Sequence, residues 1–423
     1  MLSLEEGRAI AEDLDARDAL APMRDAFLLP RRPDGTPLLY LTGNSLGLQP
    51  RMARARVEEV LEDWGRLAVE GHVEGDAPWV PYHRLLTAPT ARLVGAEPGE
   101  VVVMNTLTVN LHLLLISFYR PSAGRHRILL EADAFPSDRY ALASQVRFHG
   151  FDPSEAMVTV APRPGEHVIR PEDLLGAIRR EGERLALVLL GNVNYLTGQA
   201  FDVSAITRAG HAVGATVGFD LAHGAGNLVF HLHDDGPDFA VWCSYKYLNG
   251  GPGALAGAFV HARHAEARGL PRLEGWWGHD ETTRFEMGPR FQGMPGAEGW
   301  QLSNPPILQL AALRASMELF DAVGMTALRR KSERLTGLLD GMLRGMPGVD
   351  VITPEDPAQR GAQLSLRIGR DPRGLVRRLS AAGVVCDFRA PDIVRAAPAP
   401  FYNRFAEVVR FAEVLRDHVQ PGA

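Results

Sequence analysis

The stretch FAVWCSYKYLNGGPGALAGAFV, residues 239–260, joins an apolar run to a glycine-rich turn and places Lys246 between them. Only two of the 45 lysine and arginine residues are lysines, Lys246 and Lys331. An arginine guanidinium stays protonated, so arginine cannot attack a carbonyl as an amine does. Lys331 lies in LRRKSERL, which predicts the charged face of a helix. A partly desolvated Lys246 favours the neutral amine and suits Schiff-base chemistry, although a lysine extending from a strand end toward solvent also explains the position.

Short apolar segments alternate with helical segments along most of the chain. The predicted strands are EVVVMN, RILLEA, MVTVAP, LALVLLGN, ATVGFD and FAVWCSY. This alternation predicts an α/β fold with a doubly wound, mostly parallel sheet. After about residue 305 two long helices, short strands and a final helix predict a smaller α+β domain. We place the large domain at residues 46–305 and the small domain at residues 1–45 and 306–423, joined at LSNPP, where two prolines prevent a continuous helix.

Composition excludes several classes of function. The net charge is −6, and the arginines are scattered among acidic residues. We therefore expect no basic surface for nucleic acid or membrane. Two cysteines give neither a disulfide framework nor a CxxC metal signature, which indicates a reducing compartment. The N-terminus reads as an acidic amphipathic helix rather than a signal peptide, and no apolar run is long enough to span a membrane. We therefore expect a soluble, cytoplasmic protein.

Ligands of open parallel sheets bind beyond the carboxyl ends of the strands. After EVVVMN, Thr106 and Thr108 stand at the start of a helix whose first N–H groups suit an anion, although an ordinary N-cap explains the same pattern. After RILLEA, Phe135 adjoins a proline, and Ser137 or Asp138 can cap the next helix. A phenylalanine in that position more often belongs to a core than to a cofactor-stacking face.

Asp220 ends an otherwise apolar strand 26 residues before Lys246, and His223 follows it in GFDLAHGAG. An acid there suits a buried cation such as the pyridinium nitrogen of an electron-sink cofactor. The separation matches about one strand–helix–strand unit, so both side chains can reach one crevice. An anion cup, a stacking aromatic, an acid for a ring nitrogen and a Schiff-base lysine together indicate pyridoxal 5'-phosphate (PLP) chemistry. The two glycines of GNSLGLQP, residues 43–50, allow a close backbone approach.

Nearly the whole chain resembles the kynureninase family. These are fold-type-I PLP enzymes with an aspartate-aminotransferase-like large domain. The matching strings are GNSLGLQP, NTLTVNLHLL, EADAFPSD, FDLAHGAGN, WCSYKYLNGGPG, GWWGHDETTRF, LSNPP and GVVCDFRAPDIVRAAPAPFYN. The resemblance implies a homodimer that hydrolyses L-kynurenine, or its 3-hydroxy form, to anthranilate or 3-hydroxyanthranilate and L-alanine, in tryptophan catabolism or NAD biosynthesis.

The resemblance also implies a set of site residues. Lys246 would hold the cofactor as a Schiff base. Tyr245, next to this lysine, is our own candidate for the group that delivers a proton during turnover. The cofactor-binding residues would be Leu107, Thr108, Phe135, Pro136, Ser137, Asp138, Asp220, His223, Tyr245, Lys246, Trp276 and Asn304, with Trp276 and Asn304 reaching the phosphate from the partner subunit. The substrate-binding residues would be Ser45, His72, Asn304 and Arg395, the last through its carboxylate-binding guanidinium.

Gly191 in LLGNVNYLTG departs from the family pattern, which has a serine or threonine there. A hydroxyl contact to the cofactor is then missing, or is replaced by Asn192 or a water.

A class V aminotransferase or a cysteine desulfurase with the same fold is the nearest alternative function. A desulfurase needs a reactive cysteine on a mobile loop, whereas Cys243 and Cys386 both lie in predicted buried strands. A relative that keeps the fold without turnover is a further alternative.

Outside this class, VFHLHDD offers His231 and His233 on one face of a possible strand, followed by Asp234 and Asp235. That spacing suits the metal of a hydrolase. We expect no metal, because no further ligand has a matching spacing.

Overall fold

The computed structural model describes residues 2–266 and 269–419 of the chain. Its helices are α1 (Leu4–Ala16), α2 (Met52–Leu67), α3 (Thr87–Val94), α4 (Leu107–Phe118), α5 (Pro136–Phe148), α6 (Pro153–Ala156), α7 (Pro171–Glu181), α8 (Val203–Ala212), α9 (Leu232–Asp235), α10 (Ile307–Val323), α11 (Met325–Leu343), α12 (Pro372–Ala381) and α13 (Phe405–Val419). Its strands are β1 (Leu39–Tyr40), β2 (Val101–Met104), β3 (Arg127–Glu131), β4 (Met157–Val160), β5 (Leu185–Gly191), β6 (Thr216–Asp220), β7 (Phe239–Cys243), β8 (Ala256–Val260), β9 (Val349–Val351), β10 (Leu364–Ile368), β11 (Val384–Val385), β12 (Asp387–Arg389) and β13 (Ile393–Ala396).

A seven-stranded sheet in the order β2-β8-β7-β6-β5-β3-β4 forms the centre of the molecule. β8 runs antiparallel to β2 and β7, and the other neighbouring pairs are parallel. Successive residues of a strand face opposite sides of a sheet, and here both sides are covered. Leu129 and Val188 enter one hydrophobic core, whereas their neighbours Ile128 and Leu187 enter another. Burial on both faces explains the uninterrupted apolar runs, and the predicted mostly parallel α/β sheet is confirmed.

The parallel strands carry polar residues to one edge of this sheet. β3 ends at Glu131, β5 at Gly191 and β6 at Asp220, and the register pairs Gly191 with Asp220. β7 ends at Cys243, three residues before Lys246. This edge is where the candidate site lies.

A smaller antiparallel sheet in the order β12-β13-β10-β9 and the parallel pair β1-β11 complete the architecture. A third hydrophobic core joins Ala11, Leu39 and Leu41 to side chains between Leu335 and Val419, so the N-terminal segment packs with the C-terminal part. α10 instead contributes its buried side chains to the core that it shares with α2. The domain boundary at residues 305/306 stays a prediction. Within residues 2–266 and 269–419, none of the helices combines the length and the apolar character that crossing a membrane requires.

Lys331 is not on an exposed charged face, so that prediction was wrong. Its ammonium lies 2.7 Å from Asp18 Oδ2, and both side chains are only 6% exposed. The chain that follows α1 covers this side of α11, which a periodicity argument on α11 alone cannot reveal. Because a buried lysine needs a paired acid, Lys331 has a structural role and is already occupied.

Asp238 ties three elements together at the opposite end of β7. Its carboxylate accepts hydrogen bonds from His211 Nε2 at 2.9 Å, His264 Nε2 at 2.8 Å and the Val217 N–H at 2.8 Å. Burial alone would raise the pKa of Asp238, but the hydrogen bonds from His211 and His264 outweigh burial and hold it well below the ordinary value.

We expect Asp238→Asn to lower the free energy of unfolding at pH 7 by about 1–3 kcal/mol, because it removes a buried acceptor. Since the pKa of Asp238 is depressed on folding, its stabilisation is complete above the unfolded value, about 3.9, and is lost as the pH falls below that. Urea unfolding at several pH values should therefore show a difference between variant and wild type that shrinks in acid. A difference of constant size at every pH would contradict this account. The exposed Asp417→Asn serves as control.

Candidate active site

Lys246 lies in the turn after β7, at the wall of a small cleft of about 80 Å³. The side chain is half-buried, and Nζ lies 5.8 Å from the ring centroids of both Phe135 and Tyr245. The cleft is lined by Leu107, Thr108, Glu131, Phe135, Ser137, Asp138, Gly191, Val193, Tyr195, Asp220, Ala222, His223, Tyr245 and Lys246. Nine of the residues predicted to bind the cofactor or act in catalysis are therefore gathered at one place.

The loop GNSLGLQP fixes the Lys246 turn from outside. The Gly47 N–H donates to the Tyr245 carbonyl oxygen at 2.8 Å. A Cβ on Gly47 would lie 2.7 Å from Asn249 Cα and closer still to the Lys246 carbonyl oxygen. The expected close backbone approach is confirmed, and only glycine allows it here.

Two helix N-termini meet at one end of the cleft. Thr108 Oγ1 in the first turn of α4 lies 2.9 Å from Ser137 Oγ in the first turn of α5. Within the described part of the chain, neither Thr106 nor Phe135, the N-cap residues, makes a side-chain capping hydrogen bond. The ordinary N-cap explanation therefore fails. Two helix dipoles and two hydroxyls form a cup that suits a phosphate.

Phe135 stands over the cleft and is not part of the core. Its ring is 46% exposed and contacts Tyr195 edge-on, with the ring centroids 5.2 Å apart. The alternative that a phenylalanine here belongs to the core is wrong, because the start of α5 turns it toward the cleft. An exposed aromatic face beside Lys246 suits stacking on a planar ring.

Buried carboxyls occupy the floor of the cleft. Asp138 and Asp220 lie within hydrogen-bonding reach of each other, and Asp220 Oδ1 also accepts the Ala222 N–H at 2.7 Å. Desolvation raises the pKa of both acids, and the charge of Lys246 opposes the rise. Asp138 Oδ1 has no hydrogen-bond partner among the described residues. A cation placed against these acids would relieve the cost of their burial, so the protonated ring nitrogen of PLP fits here.

His223 is buried beside these acids, edge-on to Tyr247 at 6.0 Å. Desolvation, reinforced by the charge of Lys246, holds its pKa well below the ordinary value, so its imidazole is neutral. Nδ1 has no protein hydrogen-bond partner among residues 2–266 and 269–419. A neutral imidazole can flank a cofactor without competing for the charge of Asp220.

Arg395 lies behind the cleft lining. It is 1% exposed, its Nε donates to Asp387 Oδ1 at 2.7 Å, and its Nη2 also contacts Asp387. Nη1 donates to the carbonyl oxygen of Tyr195, a cleft residue, at 2.6 Å. The guanidinium is thus held in one orientation and adjoins the cleft through Tyr195.

The remaining predicted residues lie outside this chain's own cleft. Ser45 and Asn304 are exposed, and His72 is exposed with its ring edge-on to Trp79 at 5.2 Å. Trp276 is 40% exposed, and its indole N–H donates to the Arg284 carbonyl oxygen at 3.1 Å.

Glu131 and Tyr195 are cleft residues that the sequence argument missed. Glu131 ends the apolar strand β3 just as Asp220 ends β6, so the same rule applied to EADAFPSD would have found it. Asn192, expected to replace a hydroxyl at position 191, points elsewhere, because its Nδ2 donates to the Phe201 carbonyl oxygen at 3.1 Å. Tyr195 carries no such signal in the sequence.

The two histidines proposed for a metal are not on one face of a strand. The segment forms the short helix α9, with His231 as its N-cap residue. His233 instead joins a different group, with its Nδ1 3.0 Å from Glu100, beside His261. His261 Nδ1 accepts the Arg263 N–H at 3.0 Å, so the ring atom nearest Glu100 is already bonded within the protein.

Comparison with known proteins decides the family. Residues 328–415 match the family model described as the kynureninase C-terminal domain. The kynureninase of Myxococcus xanthus is 64% identical over 418 residues, 98% of each chain. That of Koribacter versatilis is 56% identical over 95% of this chain and 96% of its own. The chain belongs to the kynureninase family. The predicted family, enzymatic activity and PLP cofactor are thereby confirmed.

Solved structures agree on the fold. A complex of the cystine C–S lyase C-DES with cysteine persulfide has a TM-score of 0.76 at 16% identity, covering 90% of this chain and 98% of its own. The cysteine desulfurase CsdA from Escherichia coli has a TM-score of 0.74 at 18% identity, covering 93% and 97%. At such identity the likeness concerns the fold alone.

We expect Gly47→Ala to displace the Lys246 turn and to weaken PLP binding at least about tenfold, because the added methyl group overlaps backbone that cannot yield. PLP titration of the apoprotein measures the change. Gly65→Ala is the matched control, since nothing lies within 4 Å of a Cβ there. Equal PLP affinities of the two variants would show that the contact at Gly47 does not position Lys246.

Proposed function

We propose that this enzyme hydrolyses the Cβ–Cγ bond of L-kynurenine to give anthranilate and L-alanine, with Lys246 as the cofactor-binding lysine, and that it accepts the 3-hydroxy substrate as well. The single observation that carries the assignment of Lys246 is its position in the cleft that also contains Asp220, Phe135 and the Thr108–Ser137 cup. Lys331, the other lysine, is already paired with Asp18.

The cleft residues fit PLP part by part. Thr108, Ser137 and the first N–H groups of α4 and α5 would hold the phosphate. Asp220 would pair with the ring nitrogen, and Phe135 would stack on the ring. When bound, PLP supplies an aldehyde for an amine and an electron sink for carbanion chemistry. Leu107 would contribute its backbone N–H to the same cup, and Pro136 would fix the direction of the first turn of α5. His223 and Asp138 would flank the ring.

Two neighbouring side chains would handle the protons. The Lys246 amine would act as the base that removes the α-proton of the substrate. Burial raises the pKa of Tyr245 well above its usual value, so the phenol keeps its proton at neutral pH. That proton is available to the β-carbon after the carbon–carbon bond breaks.

Arg395 would bind the substrate α-carboxylate. Nε and one N–H of Nη2 donate to Asp387, and one N–H of Nη1 donates to the Tyr195 carbonyl oxygen. One N–H on each terminal nitrogen is left for a second carboxylate. Because Asp387 prevents the guanidinium from rotating, the fork keeps a fixed direction. Ser45 and His72 would line the substrate side.

We further propose that the active enzyme is a homodimer in which Trp276 and Asn304 of each chain complete the partner's site. Both residues are exposed and lie outside their own chain's cleft. Asn304 and His72 would then face the substrate ring and sense a hydroxyl on it. Mixing two inactive variants, Asn304→Ala and Lys246→Ala, should restore activity, because some mixed dimers contain one intact site. No recovery after verified subunit exchange would contradict shared sites.

A cysteine desulfurase, one of the two alternatives with this fold, is disfavoured by the cysteines. Cys243 and Cys386 are both buried, and desolvation raises the pKa of each thiol, that of Cys386 to about 12. A thiol that stays protonated is a poor sulfur acceptor.

Borohydride reduction of the holoenzyme, followed by peptide mapping, tests the central assignment. We expect the reduced adduct on Lys246 and the release of anthranilate fluorescence from L-kynurenine, unaffected by a chelator. Lys246→Arg should abolish both the adduct and the fluorescence, since a guanidinium cannot form the Schiff base. An adduct on Lys331, or activity that the chelator removes, would overturn the proposal.

Tyr245→Phe should still form the adduct on Lys246 but turn over about 100-fold or more slowly, because general acid catalysis is lost while the aromatic wall remains. Stopped-flow absorbance separates cofactor reaction from product release. Unchanged kcat would remove Tyr245 from the proton transfers.

A further inference from the structure

Glu131 is a buried acid of the cleft. It takes no part in the proposed binding of PLP or in the proposed proton transfers. It ends β3 beside Gly191 of β5, and its side chain is 2% exposed. Its Oε2 has no hydrogen-bond partner in the described part of the chain. Buried polar atoms are nearly always bonded, so an unpartnered carboxyl oxygen that lines a cleft indicates a ligand atom opposite it.

Gly191 leaves the space that the Glu131 carboxyl uses. A Cβ built on Gly191 would lie 3.1 Å from Glu131 Oε1, tighter than nearly all such contacts. The carboxyl therefore reaches the cleft over the bare backbone of residue 191. The ladder places Asp220 directly beside Gly191, so Glu131 and Asp220 face the same bound group from β3 and β6, the two strands that flank β5.

The surroundings favour the neutral form of Glu131. The other titratable groups that line or border the cleft include Asp133, Asp138, Asp220, His223, Tyr195, Cys243, Tyr245, Lys246 and Arg395. Desolvation raises the pKa of Glu131 to about 8; a hydrogen bond from Asn194 opposes the rise, and the charges of Asp220 and Asp133 add to it. The positive charge of Lys246 instead opposes the rise in the pKa of Asp138 and Asp220.

We propose that Glu131 is a cofactor-contacting residue, which reaches the bound group past Gly191 and donates a hydrogen bond to it as a neutral carboxylic acid. The inference rests on the proposed function, because it takes PLP as the bound group. A neutral acid adds a donor to the cleft without adding negative charge beside Asp220. It would fix the ring in place while the ionised Asp220 remains the sole strong counter-ion on that side.

PLP titration of the apo forms and a pH titration of the visible absorption of the holo forms test this. Glu131→Gln keeps a neutral donor, so its PLP affinity and the midpoint of its absorbance titration should stay close to the wild type. Glu131→Ala should lose about tenfold in PLP affinity. If Glu131 were ionised beside the cofactor, Glu131→Gln would lower the midpoint by about one pH unit or more, and that result overturns the proposal.

Glu155→Ala is the control, an exposed acid outside the cleft lining that should leave PLP affinity unchanged. A purely structural Glu131 would lower the melting temperature of Glu131→Ala at unchanged PLP affinity, which also overturns the proposal. In the double variant Glu131→Ala with Gly191→Ser, a hydroxyl can occupy the vacated space, and part of the lost affinity should return. A double variant that binds no better than Glu131→Ala counts against a donor at this position.

Borohydride labelling of the wild type tests the proposed function separately from the role of Glu131. If borohydride does not place the adduct on Lys246 of the wild type, the proposed site itself is wrong. If the wild type is labelled there but Glu131→Ala binds PLP as the wild type does, only the role of Glu131 is refuted.

Discussion

The desolvation of several acidic side chains beside one amine is the constraint on which this site depends. Glu131, Asp138 and Asp220 lie in one small cleft with the amine of Lys246, where desolvation raises the pKa of each acid. Such a group is stable only if some acids stay neutral and the rest face cations. Lys246 is the lysine among the residues that line the cleft, and a protonated pyridine ring would add a second cation against these acids. The same desolvation keeps Tyr245 protonated and His223 neutral, so one physical effect sets the states of several groups.

Backbone contacts rather than side chains hold Lys246 in place. Gly47 donates to the Tyr245 carbonyl oxygen and packs against the Lys246 turn with no room for a methyl group. The loop that carries Gly47 comes from a part of the chain about 200 residues earlier, between the N-terminal segment and α2. The lysine is therefore positioned only when distant segments have assembled. Arg395 is also positioned by a distant segment, because the Tyr195 carbonyl oxygen, together with Asp387, fixes its guanidinium beside the cleft.

The fold is shared far more widely than the chemistry. Cysteine desulfurases and a cystine C–S lyase have the same architecture at 16–18% identity, whereas kynureninases match at 56–64% over nearly the whole chain. An open parallel sheet offers one edge for ligands, so unrelated substrates meet the same strand ends. In this chain the edge carries Glu131, Asp220 and, just beyond β7, Lys246, and both cysteines are buried.

Local features of the sequence were enough to predict the alternating α/β pattern, Asp220 at a strand end, Lys246 just after an apolar strand, and the family, because strand periodicity and rare residue types are local properties. Tertiary structure alone decided that Lys331 is buried against Asp18, that Phe135 faces a cleft, and that His231 and His233 lie on a helix end rather than on a strand. It also decided that Glu131 passes Gly191 to reach the same cleft. Burial and electrostatic environment arise from segments far apart in the chain, and no local pattern records which segments will cover which side chain.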